Sequence, residues 1–118
     1  MKFEIDNKSP IYLQIIKHIK RKIVIGDLEP GDSVPSRREM ALSLNVNLNT
    51  VQRAYKEMGE MGIINTYKNY QSNITTDENI LKNIKMELIR ESLDLFLEDM
   101  KAIKVSKEEV IEIIKDKY

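Results

Sequence analysis

The sequence predicts a mainly α fold with one small β wing, and three observations predict it. Apolar residues recur at intervals of three and four along five separate stretches, the spacing of a buried helical face. Two of those stretches, between residues 36 and 61, are short and meet at a tight turn. Between the third and fourth stretches lie two short β-prone runs, Ile63 to Tyr67 and Gln71 to Ile74, around a polar tip at Lys68, Asn69 and Tyr70.

Phe3 to Asp6 reads as a short extended segment. Ser9 reads as an N-cap with Pro10 in the first helical position, where a missing N–H leaves nothing unpaired. The first helix carries Tyr12, Ile15, Ile16, Ile19 and Ile23 on one stripe, and Gly26 stops it. Leu28 to Asp32 is a turn, because Pro30 presets one central torsion and Gly31 accepts a positive one. Ser33, Val34 and Pro35 continue as a short extended piece.

Ser36 and Glu39 have the spacing of a capping box, in which each side chain reaches the other's free backbone N–H. They open a second helix with Met40, Ala41 and Leu44 inward, and Asn45 can end it in the left-handed conformation. Asn47 caps a third helix, in which Val51, Ala54, Tyr55 and Met58 fall at i, i+3, i+4 and i+7 and which Gly62 ends. Two short helices joined in this way form a helix-turn-helix, and the β runs that follow form its wing.

Thr75, Thr76, Asp77 and Glu78 are rich in capping and acidic side chains. They precede a long fourth helix with Ile80 or Leu81, Ile84, Leu88, Leu95, Phe96, Met100 and Ile103 along its stripe. Ser106 and Glu109 repeat the capping-box spacing ahead of a fifth helix that displays Val110, Ile113 and Ile114. The predicted architecture is a winged helix-turn-helix over residues 1–75 followed by a two-helix C-terminal dimerisation tail over residues 76–118.

Composition narrows the chemistry. With 118 residues, 42% hydrophobic and 32% charged, the chain can build one real core and is expected to be globular. The absence of cysteine excludes disulfides, thiolate zinc sites and a cysteine nucleophile. The single histidine, His18, lies between Ile16 and Ile19 and reads as a partly exposed helix residue rather than a metal ligand. No glycine-rich phosphate loop or acid–base constellation is present, so neither an enzyme nor a cofactor is expected, and nothing specifies a small-molecule effector. Charged residues break every apolar stretch and Met1 is not followed by an apolar leader, which predicts a cytoplasmic protein without a membrane segment.

The formal net charge of zero conceals an asymmetry. Residues 1–75 carry 11 Lys and Arg against 8 Asp and Glu, whereas residues 76–118 carry 8 against 11. A basic module facing nucleic acid, joined to an acidic one facing elsewhere, has this sense of charge.

In a helix-turn-helix the start of the second helix enters the major groove, so its outward side chains must match base edges. Asn49, Thr50, Gln52 and Arg53 hold those positions and are the expected base readers, with Leu48 beside them for an apolar contact. Asn and Gln match adenine bidentately, Arg matches guanine, and the Thr methyl fits thymine. Ser36, Arg37 and Arg38 begin the preceding helix, where a hydroxyl, guanidinium groups and free N–H groups suit phosphate, and Lys56, Tyr67 and Lys68 extend the expected backbone contacts. Ser36 and Asn47 cap their helices whether or not DNA is bound, and Arg37 and Arg38 can equally pair with Asp32 or Glu39. A winged-helix module that binds protein and has no specific DNA affinity is the alternative reading, favoured by the neutral net charge.

The run from Ser9 to Ile64 resembles the DNA-binding domain of the GntR family of bacterial repressors. The resemblance rests on Pro10-Ile11-Tyr12-Leu13-Gln14-Ile15, Gly26 to Asp32, Val34-Pro35-Ser36-Arg37-Arg38-Glu39-Met40-Ala41, Val46 to Tyr55 and Gly62-Ile63-Ile64, in family order and spacing. The Asn49 to Tyr55 run and the short tail are most similar to the YtrA subfamily, which carries two helices after the winged domain. The resemblance implies DNA contacts by Arg38, Asn49, Thr50 and Arg53, and repression of an operon that includes ABC transporter genes. It departs from the family at the wing, where Asn69, Gln71 and Asn73 replace a Gly-x-Gly tip and its following aromatic residue, and at Leu48, where relatives often place proline or arginine.

A ligand pocket needs about 300–1,000 Å³ of enclosed volume, which two helices do not supply. The apolar stripes of the tail (Ile84, Leu88, Leu95, Phe96, Met100, Ile103, Val110, Ile113 and Ile114) are therefore expected to pair with the same stripes of a second chain. The expected partners are a second copy and a palindromic double-stranded DNA operator, with half-sites about 34–36 Å apart or a multiple of that distance.

Overall fold

The computed structural model describes residues 3–67 and 71–118. Its elements are α1 (Ile11–Ile25), α2 (Arg37–Leu44), α3 (Leu48–Glu60), β1 (Ile64–Thr66), β2 (Ser72–Ile74), α4 (Glu78–Ala102) and α5 (Lys107–Lys117). The order is that predicted: five helices with a two-stranded antiparallel wing. The chain divides into two compact units, Met1–Lys85 and Met86–Tyr118.

Helix α1 starts one residue later than the capping pattern suggests. Pro10 is its N-cap and makes no side-chain capping bond, while the Ser9 carbonyl accepts from Gln14 Nε2 at 2.8 Å. Gln14 also bonds Asp6 in both directions, accepting from its N–H and donating to its carbonyl, each at 3.0 Å. The N-terminal segment is thereby held on α1, and Phe3 meets His18 edge-on with ring centroids 5.1 Å apart. His18, expected to be partly exposed, is accordingly buried, at 8% exposure. Burial, reinforced by the charges of Lys22 and Arg21, holds its pKa below the ordinary imidazole value.

The turn after α1 forms as the residue types require: Asp32 N–H donates to the Glu29 carbonyl at 3.0 Å, with Gly31 at φ +85°. The capping box of α2 is complete, Ser36 Oγ accepting from Glu39 N–H at 3.1 Å and Glu39 Oε1 from Ser36 N–H at 3.4 Å. Asn45 ends α2 in the left-handed conformation, at φ +56°. Asn47 caps α3 through Asn49 N–H at 2.8 Å. Gly62, at φ +80°, follows α3, and the Ile63 N–H returns to the Met58 carbonyl at 2.9 Å.

The core joins Ile15, Ile16 and Ile19 of α1, Val34, Met40 of α2, and Val51, Ala54, Tyr55 and Met58 of α3 to Ile63, Ile64 and Ile74 of the wing. Ile84 completes it at 3% exposure, with Ile80 packed alongside. The start of α4 therefore belongs to the first unit, and Ile84, expected in the dimerisation stripe, has no surface to offer a partner. Asp77 caps α4 through the N–H groups of Asn79 and Ile80 at 2.8 and 3.3 Å. At α5 the Ser106 half of the anticipated capping box forms, its hydroxyl accepting from Glu109 N–H at 3.2 Å.

Strands β1 and β2 pair in the register Ile64 with Ile74, Asn65 with Asn73 and Thr66 with Ser72. The other edge of β2 is also used. Val34 N–H donates to the Ser72 carbonyl at 2.8 Å, Gly31 N–H to the Ile74 carbonyl at 2.9 Å, and Ile74 N–H to the Asp32 carbonyl at 2.8 Å. Gln71 Nε2 donates to Ser33 Oγ at 2.8 Å and Asn73 Nδ2 to the Gly31 carbonyl at 3.0 Å. At two of the positions where the resemblance expects glycine and an aromatic residue, the amide side chains fasten the wing to the preceding loop.

Candidate nucleic-acid interface

Helix α3 offers one face to the core and the other to solvent. Val51, Ala54, Tyr55 and Met58 take the inner face, so at 100° per residue Asn49, Gln52, Arg53 and Lys56 turn outward. All four are exposed, while Leu48 and Thr50 are half-buried. The Asn47 cap engages Asn49 through its backbone N–H, which leaves the Asn49 amide side chain toward solvent.

Ser36 and Arg38 are exposed at the N-terminus of α2, where unpaired N–H groups and the helix dipole favour a phosphate. Arg37 is half-buried instead, with its guanidinium 5.3 Å from the centroid of the Tyr55 ring. The Tyr55 hydroxyl donates to the Pro35 carbonyl at 2.6 Å. Burial pushes that phenol well above its usual range, with the Arg37 charge pulling the other way and the Glu39 charge adding to the rise, so it stays a neutral donor. Arg37 thus braces Tyr55, whose hydroxyl holds the loop before α2, as well as lying beside the expected phosphate site.

Arg53 is the residue whose placement differs most from expectation. Its guanidinium carbon stands 3.8 Å from the centroid of the Tyr12 ring. Its NH2 donates to the Tyr12 hydroxyl at 3.1 Å, and its Nε lies 3.6 Å from Glu57 Oε2. The guanidinium is thus held against α1 rather than extended along the outer face of α3. The Arg53–Glu57 pair has the i, i+4 spacing of a helical ion pair, whereas no pattern in the sequence marks Tyr12, 41 residues away, as its partner.

Tyr67 is exposed at the end of β1, its N–H bonded to the Gln71 carbonyl at 2.8 Å. Lys68, with Asn69 and Tyr70, lies outside the described residues. Among the described residues no group of three or more His, Asp or Glu side chains could hold a metal ion, and no helix is long and apolar enough to cross a membrane.

In the second unit Val110 is buried. Leu88 and Met100 are half-buried, whereas Leu95 and Ile103 are 63% and 67% exposed, and Phe96, Ile113 and Ile114 are also exposed. Ile89, Leu93 and Ile111, absent from the expected stripe, are exposed as well.

Residues 11–69 match the family described as bacterial regulatory proteins, gntR family. The chain is 41% identical over 112 residues to the HTH-type transcriptional regulator YhcF of Bacillus subtilis, covering 95% of this chain and 93% of the relative. It is 38% identical over 116 residues to the HTH-type transcriptional repressor YtrA of the same organism, covering 96% and 89%. A solved GntR family transcriptional regulator from Listeria monocytogenes superposes with a TM-score of 0.87 at 33% identity, over 97% of this chain and all of that one. A helix-turn-helix whose second helix keeps polar side chains outward, with relatives aligned over nearly its whole length, places the function with the fold: the chain belongs to the gntR family of bacterial regulatory proteins and is a DNA-binding transcriptional regulator.

Proposed function

We propose that this regulator is a cytoplasmic repressor that binds a palindromic operator as a homodimer, residues 1–75 forming the DNA-binding domain and residues 76–118 the dimerisation region. The single observation that carries the DNA reading is the exposed set Asn49, Gln52 and Lys56 on α3 beside Ser36 and Arg38 at the start of α2. Asn49, Thr50 and Gln52 read base edges, while Ser36, Arg37, Arg38, Lys56 and Tyr67 follow the phosphates. The exposed apolar side chains of Leu95, Phe96, Ile103, Ile113 and Ile114 support pairing of two tails. The resemblance to YtrA-like regulators supports control of an operon with ABC transporter genes.

Selection of bound duplexes from a random DNA pool tests this reading, and the expected product is an inverted repeat. Arg38→Ala should weaken binding to all sequences and reduce the slope of log affinity against log salt by about one unit. Asn49→Ala or Thr50→Ala should instead relax base preference. Equal losses on selected and random DNA for all three variants would remove the division into readers and positioners, and a selected pool without an inverted repeat would remove the palindrome.

A further inference from the structure

We infer that Tyr12 is a positioning residue that withholds Arg53 from base reading and so sets the specificity of α3. Arg53 is held from three directions. The Tyr12 ring covers one face of the guanidinium, the Tyr12 hydroxyl takes an NH2 proton, and Glu57 faces Nε. Glu57 Oε2 is buried and accepts no hydrogen bond from the described residues, so a departing Arg53 would leave a buried carboxylate oxygen without its cation. An arginine that reads guanine must extend its fork to O6 and N7, and here NH2 is bonded to Tyr12 of α1 while the Tyr12 ring covers one face of the guanidinium.

The geometry divides the outer face of α3. Thr50 and Glu57 lie on the flank toward which Arg53 leans, while Asn49, Gln52 and Lys56 remain open to solvent without a side-chain partner in this cluster. Arg53 keeps most of its side-chain surface in solvent, with 62% exposed, so its charge still favours DNA without selecting a base. Tyr12 sits in the first turn of α1, and α1 packs on α3, so the same contact fixes the arginine relative to the reading helix.

This inference rests on the reading of α3 as the base-contacting helix, and the experiment separates the two. Binding to the selected duplex, to its single base-pair variants and to random DNA is measured for the full chain and for Arg53→Ala, Tyr12→Phe, Tyr12→Leu and Tyr12→Leu/Arg53→Ala, with Gln52→Ala as a reference. Arg53→Ala is expected to weaken all duplexes alike, by less than about tenfold, and to leave the ratios between base-pair variants unchanged. Tyr12→Leu frees the arginine and is expected to shift the ratio at one base pair of each half-site by about fivefold or more, a shift that the double variant abolishes. Tyr12→Phe, which keeps the ring and loses the hydroxyl, is expected to shift that ratio part of the way and decides the matter if Tyr12→Leu does not fold. Collapse of discrimination in Arg53→Ala with Tyr12 intact would overturn the inference, as would folded Tyr12 variants with unaltered ratios. Unaltered ratios in Gln52→Ala, Asn49→Ala and Thr50→Ala together would instead overturn the reading of α3 itself.

Discussion

Helix α3 and the tail helices carry apolar stripes of the same helical spacing, yet one stripe is closed within the chain and the other is open. Val51, Ala54 and Met58 are wholly buried, whereas Leu95, Ile103 and Ile113 keep about half or more of their surface in solvent. Periodicity sets which residues share a face and is silent about what covers it. In the first unit the cover comes from α1, α2, the wing and the start of α4. Under the proposed dimer, the cover of the tail is a second copy.

Substitution of the closed stripe gives the largest expected effect. Met58→Ala should cost about 2–5 kcal/mol, read from the urea midpoint of the first unit's unfolding, because the surrounding side chains cannot fully collapse into the space. A loss below 1 kcal/mol would show that the closed stripe is not the rigid core described. Leu93→Asp with Phe96→Asp tests the open stripe. Sedimentation should show monomers at micromolar concentration, operator affinity should fall about 100-fold or more, and the midpoint of the first unit should stay in place. A pair of substitutions that left the oligomeric state unchanged would break the comparison by showing that the tail stripe is not an interface.

Smaller effects come from the helix ends. Gly62 and Lys104 both follow a helix with positive φ, at +80° and +59°. A Cβ on Gly62 would stand 2.9 Å from Ile80 Cδ1, so Gly62→Ala is expected to cost about 1–2 kcal/mol, read by thermal unfolding. Lys104→Gly works in the opposite direction and should stabilise the α4–α5 turn by up to about 1 kcal/mol.

The smallest effect is a pH dependence at His18. Its folded pKa lies below the unfolded value of about 6.5, so the unfolded chain binds more protons there and stability falls as pH drops from that value through the folded one. His18→Gln should flatten urea midpoints measured between about pH 7.5 and about pH 5 relative to the parent chain. An equal slope in both chains would assign the acid sensitivity to other groups.

Much of the first unit was legible because its signals are local. The capping box of Ser36 and Glu39, the Asn47 cap and the left-handed Asn45 and Gly62 each involve residues within a few positions, and each appears where the pattern put it. The readings that moved concern contacts between distant segments. His18 is buried rather than partly exposed because Phe3 packs on it, and nothing on its own helix announces Phe3. Ile84 continued the tail's stripe in sequence but fills the core of the first unit. Gln71 and Asn73 stand where the resemblance expects a glycine and an aromatic residue, yet they bond Ser33 and Gly31.

The sequence by itself determined the order of elements, the helix-turn-helix and the polar set at the start of α3, because caps, turns and stripes are written in short spacings. Tertiary structure alone decided that Arg53 lies on Tyr12, that the wing is fastened to the loop before α2, and that the start of α4 belongs to the first unit. Each depends on two segments meeting across tens of residues, where the side chains that approach one another are chosen by packing and leave no periodic trace in either segment.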